Sequence, residues 1–394
     1  MRKADVLKMR SVASHSVHKN GKKREAVKIF MGYKVCVYAI CKNEEKFAAR
    51  WVSSMKEADY IVVLDTGSED NTVEILRNLG VRVEERIISP WRFDNARNAS
   101  MELIPDDADI CVCTDLDEVF ESGWREKLEN AWSDGVTQAR YRYTWNFNDD
   151  GSEGYVFRIE KIHARHGFVW KHPVHEVLEY TGNEPENKIS VPGMQLNHYA
   201  DVTKSRSSYL PLLEMAVRED PDDDRNMHYL GREYMYYGMW DESIETLQKH
   251  IAMPRAVWAD ERCASMRYIA RCYEQKGDFT SAKSWLYRAI AEAPYLREPY
   301  MDMAQLLYLS EEWDGIVYMC KCALAIKERT ESYITEAQSW GAEPYDLISL
   351  GYFYTGRYGL SLEAARMAAS LAPNDERILN NLAIIAAEVN KHNN

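Results

Sequence analysis

From Lys34 onward the apolar residues fall first in short β-rich runs and then at helical spacing, and the two patterns alternate. Lys34 to Ile40 reads as a first strand. Phe47, Trp51 and Met55, at i, i+4 and i+8, predict a helix over 45–57. Tyr60 to Leu64 predicts a second strand, closed by the cap-rich loop Asp65-Thr-Gly-Ser-Glu-Asp-Asn-Thr72. A helix follows from Thr72 with Val73, Leu76 and Leu79 inward and Gly80 as its stop signal. Val81–Val83 and Ile110–Thr114 read as two further strands, the last running straight into Asp115-Leu-Asp-Glu118. Such alternation implies a parallel, doubly wound sheet. Ligands of these sheets bind beyond the carboxyl ends of the strands, which is where Asp65, Asp115 and Asp117 fall.

Between about 138 and 200 the strands lengthen and become aromatic, with Asn148-Asp-Asp-Gly151 as a hairpin turn signal between 138–145 and 154–159. These predict antiparallel strands that extend the sheet and form an acceptor face. After about residue 205 the pattern is helical and it repeats. Ile269-Ala270, Tyr273, Gly277, Phe279, Ala282, Leu286 and Ala289, followed by Pro294, are answered 34 residues later by Met303-Ala304, Leu307, Glu311, Trp313, Ile316, Cys320 and Ala323. Copies begin also at Leu230 and Ile348, with insertions near 253–262 and 327–341 and a capping helix over 376–389. The pattern resembles the tetratricopeptide repeat, a stack of helix pairs with small residues where helices touch.

Composition sharpens this picture. The 394 residues suffice for two or three domains, and 46% hydrophobic with 28% charged residues excludes a mainly disordered chain. A net charge of −13 argues against nucleic-acid binding through a broad basic face. Residues 1–30 hold nine Lys/Arg against Asp5 and Glu25, a local +7, so the remainder carries −20. This basic extension is expected to be poorly ordered. No apolar run is long enough for a transmembrane segment and no signal peptide is expected. Eight cysteines without a C-x-x-C pair read as buried thiols of a cytoplasmic protein. The expected units are the extension over 1–30, an α/β unit over 31–202 and a helical unit over 203–394.

Asp115-x-Asp117 at a strand end can present oxygens to Mg²⁺ or Mn²⁺ while leaving positions open for a diphosphate. In a second cluster, Phe168-Val-Trp-Lys-His-Pro-Val-His-Glu176, Pro173 between His172 and His175 argues for a loop or strand rather than a helix. Trp145 and Trp170 are candidates to stack on a ligand's apolar face, with core packing the competing role. His198 is a further candidate near the metal.

Four collinear motifs, Ala39-Ile-Cys-Lys-Asn-Glu-Glu45, Asp65 to Thr72, Phe93-Asp-Asn-Ala-Arg-Asn98 and Thr114-Asp-Leu-Asp-Glu118, resemble those of a family 2 glycosyltransferase over roughly 34–200. The resemblance implies an α/β GT-A domain, Rossmann-like with a mostly parallel sheet, followed by an all-α tetratricopeptide-repeat solenoid. That architecture is similar to bacterial enzymes of the kind that glycosylate sublancin-type peptides. It implies a UDP-sugar donor, a divalent metal, and inversion at the sugar carbon. Ala39 and Glu45 would lie in the loop beside the nucleotide, Asp65 would meet the uracil edge, and Arg97 and Asn98 would face base and diphosphate. Asp115 would touch ribose or metal, Asp117 would ligate the metal, and His175 or Glu176 would serve as third ligand or general base. The acceptor would be a peptide, protein or glycan held by the repeats, through which a homodimer could also form. The alternatives from other classes are a non-catalytic tetratricopeptide scaffold with a degenerate first domain, and a surface-polysaccharide transferase.

Overall fold

The computed structural model describes residues 11–14, 26–29, 32–148, 151–201, 207–330 and 332–393. Within the basic extension, Ser11–Ser14 (β1) pairs antiparallel with Ala26–Ile29 (β2). The rest of that extension, and with it most of the expectation about its order, lies outside the described residues, as does the 202–203 joint.

Four parallel strands form the heart of the sheet, in the order Arg82–Glu85 (β5), Tyr60–Asp65 (β4), Val35–Cys41 (β3) and Ile110–Cys113 (β6). After β6 the chain forms Glu118–Phe120 (β7), Gln138–Thr144 (β8) and Val156–Ala164 (β9). The sheet continues through β9, β8 and Lys188–His198 (β12) to β7 at the edge, with β9 antiparallel to both its neighbours. Phe168–Lys171 (β10) and Val177–Tyr180 (β11) form a separate hairpin. The sheet is thus mostly parallel at its centre and mixed beyond β6.

Successive residues of β3 point to opposite faces, which explains why the whole strand is apolar. Val35, Val37 and Ala39 pack with Trp51, Met55, Leu76, Trp124 and Leu128. These come from the helices Glu45–Met55 (α1), Thr72–Asn78 (α2) and Trp124–Ala131 (α4). Cys36, Tyr38 and Ile40 face the other way, onto Ala96 and Ala99 of Phe93–Met101 (α3) and onto Trp170. Because β3, β4 and β6 run parallel, Cys41, Asp65 and the residues following Cys113 all emerge at one edge.

The chain then runs through Tyr209–Glu219 (α5), Asp224–Tyr236 (α6), Trp240–Ala252 (α7), Ala259–Gln275 (α8), Phe279–Glu292 (α9), Glu298–Leu309 (α10) and Trp313–Ala325 (α11). Glu343–Tyr354 (α12), Tyr358–Leu371 (α13) and Glu376–Asn393 (α14) complete it. Helices pair as expected, α6 with α7, α8 with α9, α10 with α11 and α12 with α13. The small positions explain the close crossings. Ser243 Oγ donates to the Gly231 carbonyl at 2.7 Å, and 118 residues later Ser361 Oγ donates to that of Ser349, also at 2.7 Å. A Cβ on Gly351 would stand 2.7 Å from Val317 Cγ2 and 2.8 Å from the Trp313 carbonyl oxygen, so only glycine fits against α11. Among the described residues no helix is long and apolar enough to cross a membrane.

Candidate active site

Two loops at the sheet edge are laced together by side chains that replace missing backbone pairing. Asp65 Oδ1 accepts from the amides of Gly67 and Ser68, each at 2.9 Å, and its Oδ2 accepts from the Ser68 hydroxyl. Glu45 Oε2 accepts from the Asn71 amide at 3.0 Å and from Asn71 Nδ2 at 2.9 Å. Asn43 closes the seam, its amide donating to Ser68 Oγ and its Oδ1 accepting from the Glu69 amide, both at 2.8 Å. Asp65 therefore shapes the loops from inside, and Glu45 ties them together at the surface. The expectation that Ala39 lies in a loop is corrected: the apolar run continues to Cys41, which keeps Ala39 within β3 and fully enclosed.

Behind the D-x-D sits a buried ionic network. Arg97, on the inner face of α3 and only 3% exposed, donates from Nη2 to Asp115 Oδ1 at 2.6 Å and from Nε to Glu176 Oε1 at 3.0 Å. Lys161, from β9, bridges Asp115 Oδ2 at 3.0 Å and Glu118 Oε1 at 3.1 Å. Glu118 also accepts from the Asp115 amide and the Tyr143 hydroxyl, each at 2.8 Å. Burial works against the charge on Asp115, but Arg97 and Lys161 outweigh it and hold its carboxyl well below the usual carboxylate range. Burial dominates at Glu118 and pushes its carboxyl upward. The expectation that Arg97 faces a diphosphate is corrected here, since the guanidinium is enclosed and its nitrogens are taken by Asp115, Glu176 and the Cys113 sulfur. Arg97 positions the D-x-D instead. Lys161 escaped sequence reasoning because it is a single lysine on an aromatic strand, and only the register of β9 beside β6 carries it to the site.

Asp117 meets a different neighbour. Its Oδ2 lies 3.2 Å from His198 Nε2, and His198 Nδ1 lies 2.7 Å from the Trp145 carbonyl oxygen. A carbonyl only accepts, so Nδ1 carries a proton, and in the neutral ring Nε2 is a bare acceptor facing a carboxylate. Such a pair needs a cation or a second proton between its members. The 3.2 Å gap also fits neighbouring corners of an octahedron with bonds of about 2.1 Å, which stand about 3 Å apart. Counted together, Asp115, Asp117, Glu118 and Glu176 against Arg97 and Lys161 leave a surplus of two negative charges. The residues present fit a divalent ion, with the His198 ring oriented from behind as metal-bound imidazoles are.

Burial opposes the charge on His198, and Asp117 outweighs it, so the imidazolium persists to higher pH than usual. Without metal this pairing adds stability below the unfolded value of about 6.5 and loses it as pH rises through the raised one. Metal binding has the opposite sign, because the ring must give up its proton. Manganese affinity should accordingly fall as pH drops below the raised value, by up to about tenfold per unit, in calorimetric titrations between about pH 6 and 8. A flat profile would remove His198 from the ligand set.

Trp145 is 47% exposed and its ring lies 4.6 Å from that of His198, which makes it an open apolar platform beside Asp117. Trp145→Ala should raise KM for the substrate that rests there about two- to twelvefold, the equivalent of about 0.5–1.5 kcal/mol of aromatic contact. Steady-state kinetics varying donor and acceptor separately identify which substrate it is. Trp170 took the other role: it is buried, its Nε1 donating to Tyr38 Oη at 3.0 Å.

Two further expectations are corrected. Asn98 pairs both ends of its amide with the Trp170 backbone, each at 2.9 Å, fastening α3 to β10 rather than facing a nucleotide. His175 lies in the 172–176 turn, as Pro173 suggested, but its ring stacks on Tyr229 of α6 at 4.2 Å and meets Tyr209 of α5 edge-on at 5.7 Å. The histidine brought to Asp117 is His198. The positive φ of 51° at His175 is what turns its side chain toward the helices.

With this geometry in place, comparison with known proteins is informative for the first half of the chain. Residues 36–177 match the family model of Glycosyl transferase family 2. A 59-residue stretch is 41% identical to an uncharacterized glycosyltransferase of Rickettsia typhi (strain ATCC VR-144 / Wilmington), covering 15% of this chain and 19% of that protein. The chain thus spans about a fifth of the length of that relative. Among solved structures, MamA is 16% identical with a TM-score of 0.36, covering 45% of this chain and 99% of its own. A thermophilic TPR protein of Thermus thermophilus is 20% identical with a TM-score of 0.33, over 46% of this chain and 90% of its own.

Proposed function

We propose that this protein is a metal-dependent glycosyltransferase that moves a sugar from a UDP-sugar to an acceptor held partly by the helical repeats. The carrying observation is the Asp117–His198 pair at the sheet edge, with Asp117 inside residues 36–177, which match a glycosyl transferase family, and His198 beyond them. The transferase unit would span 31–202 and the helical unit 203–394, in a cytoplasmic protein whose eight cysteines are free thiols. Asp117 and His198 would hold Mn²⁺ or Mg²⁺, which when bound stabilises the departing diphosphate. Asp115, locked as an anion by Arg97 and Lys161, would orient the ribose or the metal's water shell. Asp65 and Glu45 would keep the nucleotide loops in shape.

Transfer with inversion needs a base within reach of the acceptor. Of the two candidates Glu176 is retained, because it shares Arg97 with Asp115 and so stands beside the D-x-D, whereas His175 is packed against α5 and α6. The acceptor would be a peptide, protein or glycan, a sublancin-type peptide among them, and a cleft of about 260 Å³ to which both halves contribute is the candidate place for it. Arg142, Glu153 and Val156 line it from the β8–β9 hairpin, and Arg329 and Thr330 from the segment before α12.

The test is release of UDP from a panel of UDP-sugars with Mn²⁺, with peptide acceptors analysed by mass spectrometry. Turnover with at least one donor that stops on chelation supports the reading. No metal-dependent turnover with any donor and acceptor would overturn it. Glu176→Gln should lower kcat by about 10²–10⁴-fold while donor binding holds, as loss of a general base does.

A further inference from the structure

A second group of ligating side chains lies well away from the D-x-D, in the first helix pairs. Asp224 opens α6, His250 closes α7 and Glu261 lies in the first turn of α8. One ligand atom of each lies within 4.8 Å of the other two. His250 is wholly enclosed and Glu261 nearly so, while Asp224 is half-buried.

His250 Nε2 stands 3.4 Å from Glu261 Oε1, long for a hydrogen bond. It matches the edge of a tetrahedron around zinc, which with bonds of about 2.0–2.2 Å is about 3.3–3.6 Å. Behind the ring, Ser265 Oγ lies 2.9 Å from His250 Nδ1 and 2.7 Å from His228 Nδ1. One hydroxyl proton cannot serve both nitrogens, so one ring donates from Nδ1 and keeps a bare lone pair at Nε2. Neither Nε2 has a hydrogen-bond partner, and both are buried. If the donor is His250, a lone pair faces the Glu261 carboxylate. That arrangement calls for a cation or a second proton between His250 and Glu261. If it is His228, His250 Nε2 carries a proton toward Glu261, and that proton leaves when a metal binds.

The remaining neighbours leave room for one. Tyr333 donates to the second oxygen of Glu261, which leaves Oε1 for a ligand. Arg225 directs Nη1 to the His175 carbonyl at 3.2 Å, and Arg232 lies over the rings of Tyr229 and Tyr236. The acidic run Asp220-Pro-Asp-Asp-Asp224 offsets their charge.

We propose that Asp224, His250 and Glu261 form a zinc site, oriented through Ser265, that clasps α6, α7 and α8 together. Nitrogen and oxygen ligands in a compact set suit Zn²⁺. The site lies beside Tyr229, the residue on which His175 stacks, so the ion would stiffen the seat of the transferase half. This inference stands apart from the transferase reading.

The full chain, stripped of metal by chelation, is titrated with Zn²⁺ against a competing indicator in an Asp117→Asn background that removes the other site's carboxylate. One zinc per chain is expected, with only nitrogen and oxygen neighbours in X-ray absorption. Adding Glu261→Gln, which preserves shape and the Tyr333 contact, should weaken binding by about 100-fold or more, and the half-exposed Asp224→Asn by about tenfold or more. Zinc should raise the melting temperature of the background protein and not that of the Glu261→Gln form. Absence of zinc binding tighter than about 100 μM in the background protein (about 5.5 kcal/mol), or an affinity unmoved by both substitutions, overturns the site.

Discussion

Asp117→Asn should abolish metal-dependent transfer, lowering turnover by about 10²–10³-fold, the range for removing one preorganised electrostatic contact. The substitution keeps size and removes charge, so where His198 is neutral its effect on folding has the opposite sign to its effect on activity. Above the raised value of His198 the metal-free site carries four carboxylates against Arg97 and Lys161, and deleting one relieves repulsion. There the metal-free variant should melt at or above the wild-type temperature, whereas at lower pH it loses the Asp117–His198 pairing and should melt below it. Wild type should gain stability on adding Mn²⁺ by the ordinary linkage of binding to folding, and the variant should gain little. Nucleotide release with a working donor and differential scanning calorimetry with and without Mn²⁺ check both halves. Turnover within about threefold of wild type (about 0.65 kcal/mol) would sink the assignment of Asp117 to the metal.

Arg97→Met should be the most destabilising single change in the first half, costing about 3–5 kcal/mol, as when one member of a buried ion pair is removed. The reason is what remains: Glu176 loses its partner while mostly buried, and Asp115, a third exposed, is left with Lys161 alone. Lys161 keeps one oxygen of Asp115 but does not reach Glu176 in the structure. Arg97→Lys should recover only part of the loss, because an ammonium cannot span two carboxylates as the planar fork does. Urea unfolding followed by tryptophan fluorescence measures this. The doubly substituted Arg97→Met/Glu176→Met chain should be more stable than the sum of its parts, since the cycle removes both charges. An Arg97→Met midpoint within about 1 kcal/mol of wild type would mean that the network is not holding the D-x-D.

Much of the architecture is legible in the residues because it depends on periodicity. The apolar strand 35–41, the Asp65–Thr72 cap and the small-residue offsets of the repeats each rest on neighbours in sequence. The site is legible as a list of motifs but not as a set of contacts. Arg97 and Asn98 sit in a motif that reads as facing substrate, yet both point inward, a choice made by the packing of α3 against β3, β4 and β10. Lys161 carries no motif, and sheet register alone brings it to Asp115. His198 and His175 are both histidines near proline, glycine or aromatic residues, and nothing local tells which will reach Asp117. The answer lies in β12 pairing with β7, which sets His198 opposite Glu118 and hence beside the D-x-D.

The β10–β11 hairpin is a component shared between the two halves. One side of it is fastened to α3 through Asn98 and through the Phe93 amide, which donates to the Pro173 carbonyl at 3.0 Å. The other side is embraced by the helices, with Val174 among Leu212, Leu213, Tyr229 and Leu230. It belongs to the first half by sequence and to both halves by cohesion. Anyone exchanging the helical half for another solenoid inherits this obligation: a chimera joined at 202–203 keeps a turn whose socket has gone. A graft that brings along a matching 168–180 segment, or carries α5 and α6 with the first half, is the one expected to assemble. The hairpin behaves as a dovetail, and recombination of the two halves is constrained by its shape more than by the linker that follows it.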